Sequence, residues 1–284
     1  MISTDYLNIC YYITTKCNQK CDYCFRKKYS DPYEPTKNDI DNLFQNIPDM
    51  KIHTFFISGG EPTVSPHIFQ IIDHLYSRDV DTIQIISNST NPDFYKNVNE
   101  RYQNKERFNF HLSFHPEYFN DDILQTYHYV AENFPNYFLY ILLDKRYKDK
   151  ITSFVPVYEQ HFKGKTEFNI IREKNYTNNI MKTTEYTDVV WLKKVSDMFH
   201  IDMAKNIIGP KIAKNEFIGK KCCDNIFSIQ PNGELFIFNH CFPELESLKH
   251  NIYREKYTHQ FFTKTCDNKH PKFYDVCKYT SHED

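Results

Sequence analysis

The stretch "KCNQKCDYCFRKK" (16–28) places three cysteines in one loop, with the spacing CxxxCxxC at Cys17, Cys21 and Cys24. A closed structural zinc site takes four ligands, and its thiolates commonly come in pairs. Three thiolates can instead hold a four-iron cluster and leave one iron open to a small molecule, much as catalytic metal sites keep an open position. The spacing therefore predicts an iron-sulfur loop with one open iron.

Length, charge and cysteine content limit the kinds of protein that this sequence can encode. The 284 residues suffice for one large α/β domain with an appendage or for two smaller domains. The 35 Lys and Arg nearly balance the 37 Asp and Glu, so charge gives no reason to expect nucleic acid or an anionic membrane as partner. Because signal-peptide and membrane-span patterns are absent, we expect a cytoplasmic protein. Nine cysteines, an odd number, favour metal ligands or redox groups over a disulfide framework.

Short apolar runs alternate with amphipathic stretches, a pattern typical of α/β proteins. The predicted strands are 6–14, 53–58, 82–87, 108–114, 137–143 and 167–172. The predicted helices between them are 36–47, 67–78, 91–103, 121–134 and 153–162. About six βα units favour a partial or complete parallel barrel. A helix at 185–199 follows, and we place a boundary near residue 205 between a core (1–205) and a Cys-rich extension (206–284).

A second motif, "FFISGGEPT" (55–63), ends the second predicted strand. Parallel α/β proteins build their active sites at this end of the strands. Gly59 and Gly60 let the backbone approach a ligand closely, and Pro62 stiffens the turn. Glu61 supplies a carboxylate or an orienting acceptor. The turn follows the cysteine loop by one βα unit, and the two motifs together are far more specific than either alone.

The cysteine loop and the GGEP turn together resemble the radical S-adenosylmethionine (radical SAM) enzymes, over residues 6–172. The resemblance implies a partial (β/α)6 TIM-like barrel in which Cys17, Cys21 and Cys24 ligate a [4Fe-4S] cluster. The open iron would bind SAM, and one electron from a flavodoxin- or ferredoxin-type donor would cleave SAM to methionine and a 5'-deoxyadenosyl radical. That radical would abstract a hydrogen atom from the substrate. The cofactors supply this chemistry, and the barrel supplies orientation and exclusion of water.

The same resemblance assigns further residues to SAM. Tyr23 matches the position that packs near the adenine, and Ser113 matches a ribose contact. Asn88 follows the third strand, where family members often contact the ribose or carboxylate; a helix cap is the alternative. The turn matching the contact to the methionine amino group consists of Ser58, Gly59, Gly60, Glu61 and Pro62.

Alternation in "FHLSFH" puts His111, Ser113 and His115 on one face of a strand and apolar residues on the other. A barrel strand should turn its apolar side to the helices, so we expect the polar face to point inward. His115 is then a candidate substrate contact, with structural hydrogen bonding as the alternative for both histidines. Arg172, at the end of the last strand, could pair with the SAM carboxylate or a substrate acid, or form a surface ion pair.

The tail "CCDNIFSIQPNGELFIFNHC" (222–241) reads as a β-hairpin with a turn at 231–233. It resembles the SPASM and twitch modules of radical SAM enzymes, which help to bind an auxiliary cluster. The seven residues between Gly233 and the next cysteine exceed the spacing in that family, and only two cysteines follow. The resemblance implies one auxiliary [4Fe-4S] cluster; its candidate ligands are Cys222 or Cys223 with Cys241, Cys266 and Cys277. The alternatives are a structural zinc, with His240 or His270 as ligand, or unligated thiols. Cys10 is expected to be a small buried hydrophobe.

The substrate is the least constrained feature. We favour a peptide or protein side chain, modified by crosslinking, epimerisation or thioether formation, over a small metabolite, sugar or nucleotide. Only 16 residues precede Cys17, so we expect no separate leader-peptide recognition domain at the N-terminus. A hypothesis of another class is a non-catalytic iron-sulfur or zinc-binding regulatory protein. Its signature would be a damaged GGEP turn or a lost cluster cysteine, and the sequence shows neither.

Overall fold

Strands and helices alternate through the computed structural model, which describes residues 6–24, 33–170, 188–202, 221–224, 226–237, 247–257 and 262–265. The strands of the first part are β1 (Tyr6–Thr14), β2 (Lys51–Gly59), β3 (Thr82–Ser87), β4 (Phe108–Phe114), β5 (Asn136–Leu143) and β6 (Thr166–Ile170). The helices are α1 (Lys37–Asn46), α2 (Ile68–Ser77), α3 (Pro92–Arg101), α4 (Asp121–Asn133), α5 (Lys148–Val157) and α6 (Val189–Met198). The strands of the tail are β7 (Lys221–Asp224), β8 (Ile226–Ile229), β9 (Glu234–Ile237), β10 (Ser247–Asn251) and β11 (Phe262–Thr265).

The sequence prediction fits these elements closely, and α5 is the main exception. The helix was predicted at 153–162, but it begins at Lys148 and ends at Val157, where a π-helical segment (Tyr158–Phe162) continues the chain. Its first turn is too polar to show apolar periodicity. Pro156 lies inside the helix, where it lacks the N–H needed to continue the α-helical ladder. The end of the sixth predicted strand, 171–172, lies outside the described residues.

Chain contacts divide the protein into two compact units, and the first comprises Met1–Asn18, Tyr29–Ile85 and Ile212–Asp284. In this unit β1 pairs in parallel with β2 and with β8, and β2 pairs in parallel with β3. The β1–β2 register runs from Tyr6↔Lys51 to Thr14↔Gly59, so both strands end side by side. This register brings the start of the cysteine loop to the GGEP turn.

The second unit comprises Gln19–Lys28 and Ile86–Lys211. Its strands β4, β5 and β6 pair in parallel. Leu112 and Phe114 of β4 are fully buried, while His111 and Ser113 are half-buried. Phe114 packs on Phe154 of α5 with ring centroids 4.7 Å apart. The predicted alternation of β4, with its apolar side toward the helices, is confirmed.

The predicted hairpin in the tail is also confirmed. Strands β8 and β9 pair antiparallel around the turn at 231–233. Gly233 has φ +85°, and a Cβ there would lie 2.5 Å from the Tyr253 ring, so the turn requires glycine. Cys222 and Cys223 lie in β7, which pairs with β11 in a separate two-stranded sheet.

The fold class is α/β with a mostly parallel sheet, as predicted. The partial barrel and the division into 1–205 and 206–284 stay predictions. Strand β8 pairs with β1, and β9 and β10 follow it, so these three strands of the tail continue the sheet of the first unit. Among the described helices, none combines the length and apolarity needed to cross a membrane.

Candidate functional site

The cysteine loop follows β1 directly. Cys17 is exposed, Cys21 is buried and Cys24 is half-buried, and all three are in the reduced form. The Cys24 N–H donates to the Cys21 carbonyl (3.2 Å), which closes a tight turn between the second and third cysteines. Three reduced thiols in one loop are the donor set that iron-sulfur clusters use, so the residues fit the predicted cluster in their chemistry. In the described part of the chain no three His, Cys, Asp or Glu side chains already surround one metal position, and the ligand set stays a prediction.

Backbone hydrogen bonds join the GGEP turn to the start of this loop. The Gly60 N–H donates to the Thr14 carbonyl (2.7 Å), and the Glu61 N–H donates to the Lys16 carbonyl (2.8 Å). A Cβ on Gly60 would lie 1.9 Å from the Lys16 oxygen, and one on Gly59, at φ +148°, would lie 2.5 Å from the Thr14 oxygen. The glycines therefore allow a close approach between two segments of the chain, and their approach to a ligand stays a prediction.

The Glu61 carboxylate accepts hydrogen bonds within the turn, and its predicted role toward a ligand stays a prediction. Its side chain is buried, with 1% exposed. Oε1 accepts from the Thr63 N–H (3.1 Å) and from the Thr63 hydroxyl (2.7 Å). These bonds cap the short 3₁₀ helix Pro62–Val64 that completes the turn.

Glu34, which the sequence analysis missed, lies between the cysteine loop and α1. Its Oε1 accepts from the Ser65 hydroxyl (2.5 Å) and its Oε2 from the Thr14 hydroxyl (2.8 Å), with Lys16 Nζ at 3.6 Å. Thr14 and Ser65 are both buried. One carboxylate thus ties the end of β1 to the segment after the GGEP turn. No motif marks Glu34, because its role depends on which hydroxyls the fold brings to it.

In the second unit, Tyr23 meets His115 at the end of β4. The Tyr23 hydroxyl lies 2.9 Å from His115 Nδ1, and the two rings are parallel with centroids 6.1 Å apart. Burial lowers the pKa of His115 to about 4 and raises the pKa of Tyr23, so the imidazole is neutral and the phenol protonated near pH 7. The hydrogen bond therefore joins a neutral phenol to the Nδ1 atom of a neutral imidazole. Cys21 Sγ lies 3.7 Å from the same nitrogen.

His111 and Ser113 lie on the same face of β4, as predicted. His111 Nδ1 lies 2.9 Å from the Tyr140 hydroxyl of β5, and burial lowers the pKa of His111 to about 4. Hydrogen bonding, the alternative given for both histidines, is what the structure shows for each. The Ser113 carbonyl accepts from the Tyr127 hydroxyl (3.2 Å).

Asn88 is buried after β3 and does not cap a helix. Its Oδ1 accepts from the Thr90 N–H (3.2 Å) and the Thr90 hydroxyl (2.6 Å), which forms a local turn. The N-cap of α3 is Asn91 instead. The helix-cap alternative is therefore wrong, and the SAM contact stays a prediction.

Arg146 and Asp144, just after β5, were also missed. They contact one another, and Arg146 also contacts Asp22 of the cysteine loop. A signal existed in "LLDKRY" (142–147), where charged residues follow a predicted strand at its carboxyl end.

Several predicted site residues lie outside the described residues. They are Arg172, Cys241, Cys266 and Cys277, with the alternative zinc ligands His240 and His270. For Cys222 and Cys223 the backbone is described, in β7 opposite Lys264 and Thr263. The auxiliary cluster therefore stays a prediction.

Two curated sequences resemble part of the chain. A GTP 3',8-cyclase of Limosilactobacillus fermentum is 32% identical over 92 residues, which cover 31% of this chain and 26% of that protein. A probable GTP 3',8-cyclase of Methanothermobacter marburgensis is 32% identical over 80 residues, 28% of this chain and 26% of that protein. The matched part of the chain thus spans about a quarter of the length of these curated relatives.

Solved structures resemble more of the chain at lower identity. Streptococcus suis SuiB bound to S-adenosylmethionine aligns over 88% of this chain and 64% of that chain, with a TM-score of 0.59 and 16% identity. A tagged form of anSMEcpe with bound AdoMet aligns over 88% of this chain and 79% of that chain, with the same TM-score and identity. At this identity the likeness shows a shared fold.

The family comparison covers both motifs. Residues 11–146 match the model of the Radical SAM superfamily, and this range includes the cysteine loop, the GGEP turn and strands β2 to β5. The same range holds Glu34, His115 and Arg146. Just under half of the chain is thus similar to the radical SAM superfamily.

Proposed function

We propose that the protein is a radical SAM enzyme that cleaves SAM reductively and abstracts a hydrogen atom from its substrate. The observation that carries this proposal is the bonded pair of motifs, in which the GGEP turn donates two backbone hydrogen bonds to Thr14 and Lys16 at the start of the CxxxCxxC loop. The match of residues 11–146 to the superfamily supports it. The curated relatives match only part of the chain, so the activity of the whole chain is itself part of this proposal.

Cys17, Cys21 and Cys24 would hold a [4Fe-4S] cluster, with SAM as the second cofactor. When bound, the pair would supply one-electron cleavage of SAM to methionine and a 5'-deoxyadenosyl radical. Ser58 to Pro62 would bind the methionine amino group, whereas Asn88 and Ser113 would contact the ribose or carboxylate. His115 would hold the Tyr23 ring in place through the 2.9 Å hydrogen bond, so that Tyr23 packs near the adenine.

For the substrate we propose a peptide or protein side chain. The solved structures aligned over 88% of this chain include SuiB bound to the precursor peptide SuiA and anSMEcpe with a bound peptide. Those peptides are bound by those proteins, and the likeness itself supports only the fold. A small nucleotide is the second candidate, because the two curated relatives are named as GTP cyclases.

The tail and the redox partner complete the proposal. Cys222 or Cys223, with Cys241, Cys266 and Cys277, would bind one auxiliary [4Fe-4S] cluster. A flavodoxin- or ferredoxin-type protein would deliver the electron. Arg172 would pair with a carboxylate of SAM or substrate.

Anaerobic reconstitution with iron and sulfide, followed by iron counting and measurement of 5'-deoxyadenosine with dithionite, tests the proposal. About eight irons with cleavage support both clusters, and about four irons with cleavage retain the enzyme without the auxiliary cluster. Cys24→Ala should abolish cleavage, whereas Cys10→Ala, the matched control, should retain it. Zinc without cleavage would favour the non-catalytic metal protein instead.

The substrate class has a separate test in the same assay. Reconstituted protein is incubated with GTP, or with a mixed peptide library, and 5'-deoxyadenosine is compared with the substrate-free rate. Stimulation by peptides, with new peptide masses, is expected. Stimulation by GTP alone, with consumption of the nucleotide, would replace the peptide proposal by the nucleotide one.

A further inference from the structure

We propose that Arg146 is a positioning residue that holds the turn between Cys21 and Cys24 by binding Asp22. Asp22 and Tyr23 are the two residues inside the CxxC half of the motif. Fixing Asp22 therefore fixes the spacing of the two cysteines and the placement of Tyr23. That Arg146 holds this turn is argued from geometry alone. The importance of the turn for an iron-sulfur cluster rests on the proposed function.

Arg146 binds Asp144, whose carboxylate has no exposed surface. Arg146 Nε lies 3.0 Å from Asp144 Oδ1 and 3.1 Å from Oδ2, and Nη2 lies 2.6 Å from Oδ2. The backbone N–H of Arg146 also donates to Asp144 Oδ1 (3.0 Å). A buried carboxylate needs such partners, and together they fix the guanidinium in one orientation.

The other edge of the guanidinium binds the cysteine loop. Nη1 donates to Asp22 Oδ2 (2.8 Å), and Nη2 lies 3.4 Å from Oδ1. Hydrogen bonds to Asp144, and then to Asp22, raise the pKa of Arg146, so its charge is permanent. The guanidinium thus spans two carboxylates 122 positions apart in sequence, one anchored at the end of β5 and one in the loop.

The geometry explains why arginine stands here. A planar guanidinium has donors on two edges, so it can satisfy Asp144 and Asp22 together, whereas a lysine ammonium is a single point charge. Asp22 and Arg146 are partly exposed, at 45% and 31% of their side chains, so the pair adds little to global stability. Its effect is local, on the turn between Cys21 and Cys24 that the 3.2 Å hydrogen bond between these residues closes.

A measurement on metal-free, fully reduced protein tests the positioning role without requiring cluster or activity. The alkylation rate of each cysteine is followed by peptide mass spectrometry in the wild type, Arg146→Lys and Asp22→Asn. We expect Cys21, which is 6% exposed, to react about tenfold faster in both variants because the turn opens more often. Asp22→Glu keeps the carboxylate and should restore part of the protection.

Matched controls distinguish opening of the turn between Cys21 and Cys24 from a general loss of stability. Cys10 should keep its rate in every variant, and Lys163→Gln, which breaks a surface ion pair with Glu159, should leave Cys21 unchanged. Cys21 rates within about twofold of the wild type in both Arg146→Lys and Asp22→Asn would overturn the proposal. Asp22→Asn leaves the buried Asp144–Arg146 pair intact, so it remains informative if Arg146→Lys does not fold.

A second readout addresses the cluster. Reconstituted wild type and Asp22→Asn are exposed to an iron chelator, and iron release is timed. We expect about tenfold faster release from the variant. Equal rates of iron release from the two proteins would mean that Arg146 positions the turn only in the metal-free protein. Failure of the wild type to take up iron would refute the proposed function and leave the alkylation result standing.

Discussion

Two charged residues organise the two sides of the cysteine loop, and they do so differently. In the first unit, Glu34 works alongside backbone hydrogen bonds, and the close approach of Gly60 to Lys16 leaves no room for a side chain. In the second unit, Arg146 holds Asp22 through side chains alone, partly in solvent. The comparison indicates that backbone hydrogen bonds and close packing fix the start of the loop, whereas a partly exposed side-chain contact holds its later turn.

The largest expected effect is on the glycine side. Gly60→Ala places a Cβ 1.9 Å from the Lys16 carbonyl oxygen, and backbone on both sides must move. We expect a loss of more than about 4 kcal/mol in unfolding free energy, or no folded protein. Gly164→Ala is the control: its φ of +80° is strained for alanine but no atom lies within 4 Å, so it should cost about 1 kcal/mol. Urea unfolding measures both, and equal losses would refute the close-approach argument.

The next effect concerns the Glu34 carboxylate. Glu34→Gln keeps the shape but removes the charge that strengthens the hydrogen bonds from Thr14 and Ser65. We expect a loss of about 2 kcal/mol, because hydrogen bonds to charged groups are worth about 1.5 to 3 kcal/mol. Asp81→Asn, in a more exposed ion pair with Lys51, should lose less than about 1 kcal/mol. A Glu34→Gln loss no larger than that control would remove Glu34 from its organising role.

Burial of His111 predicts that the unfolding free energy depends on pH, by an amount similar to the loss expected for Glu34→Gln. Its pKa is about 4 in the folded protein and about 6.5 when unfolded, so the unfolded state binds the extra proton as the pH falls. The stability contributed by the neutral imidazole is present above about pH 6.5 and should fall by about 2 kcal/mol on going to pH 5. His111→Gln should show a smaller loss between the same pH values in urea titrations. An unchanged pH dependence in this variant would contradict the assignment.

The smallest global effect is expected at Asp22. Asp22→Asn should change the unfolding free energy by less than about 1 kcal/mol, because the pair is partly exposed. The same variant should change the alkylation of Cys21 strongly, as described above. A large global loss would mean that the contact supports the fold and not only the turn.

Most of the fold could be predicted from the sequence because apolar periodicity sets its elements. Strands such as β1 and β3 match their predicted ends, and β4 shows the expected alternation. The start of α5 was wrong by five residues because its first turn, "KDK", carries no apolar pattern. The cysteine loop and the GGEP turn were visible because their residue types are rare in that spacing.

Supporting residues were harder to predict than the motifs they support. Glu34 has no local motif, and its partners Thr14 and Ser65 are far away in sequence. Arg146 follows a predicted strand, but its contact with Asp22 depends on the fold. Tyr23 and His115 were each predicted as candidates, but their mutual hydrogen bond depends on the path of the loop after Cys21. Pairings of this kind follow from tertiary structure, which a single sequence does not report.

We propose above that the three-cysteine loop holds a four-iron cluster whose open iron binds SAM. The most direct measurement is the electron paramagnetic resonance spectrum of reconstituted, dithionite-reduced protein, recorded without and with SAM. We expect a reduced-cluster signal whose g-values shift when SAM is added, and loss of that shift in Cys24→Ala. A reduced-cluster signal that SAM leaves unchanged, or no iron-sulfur signal in the wild type, would contradict it.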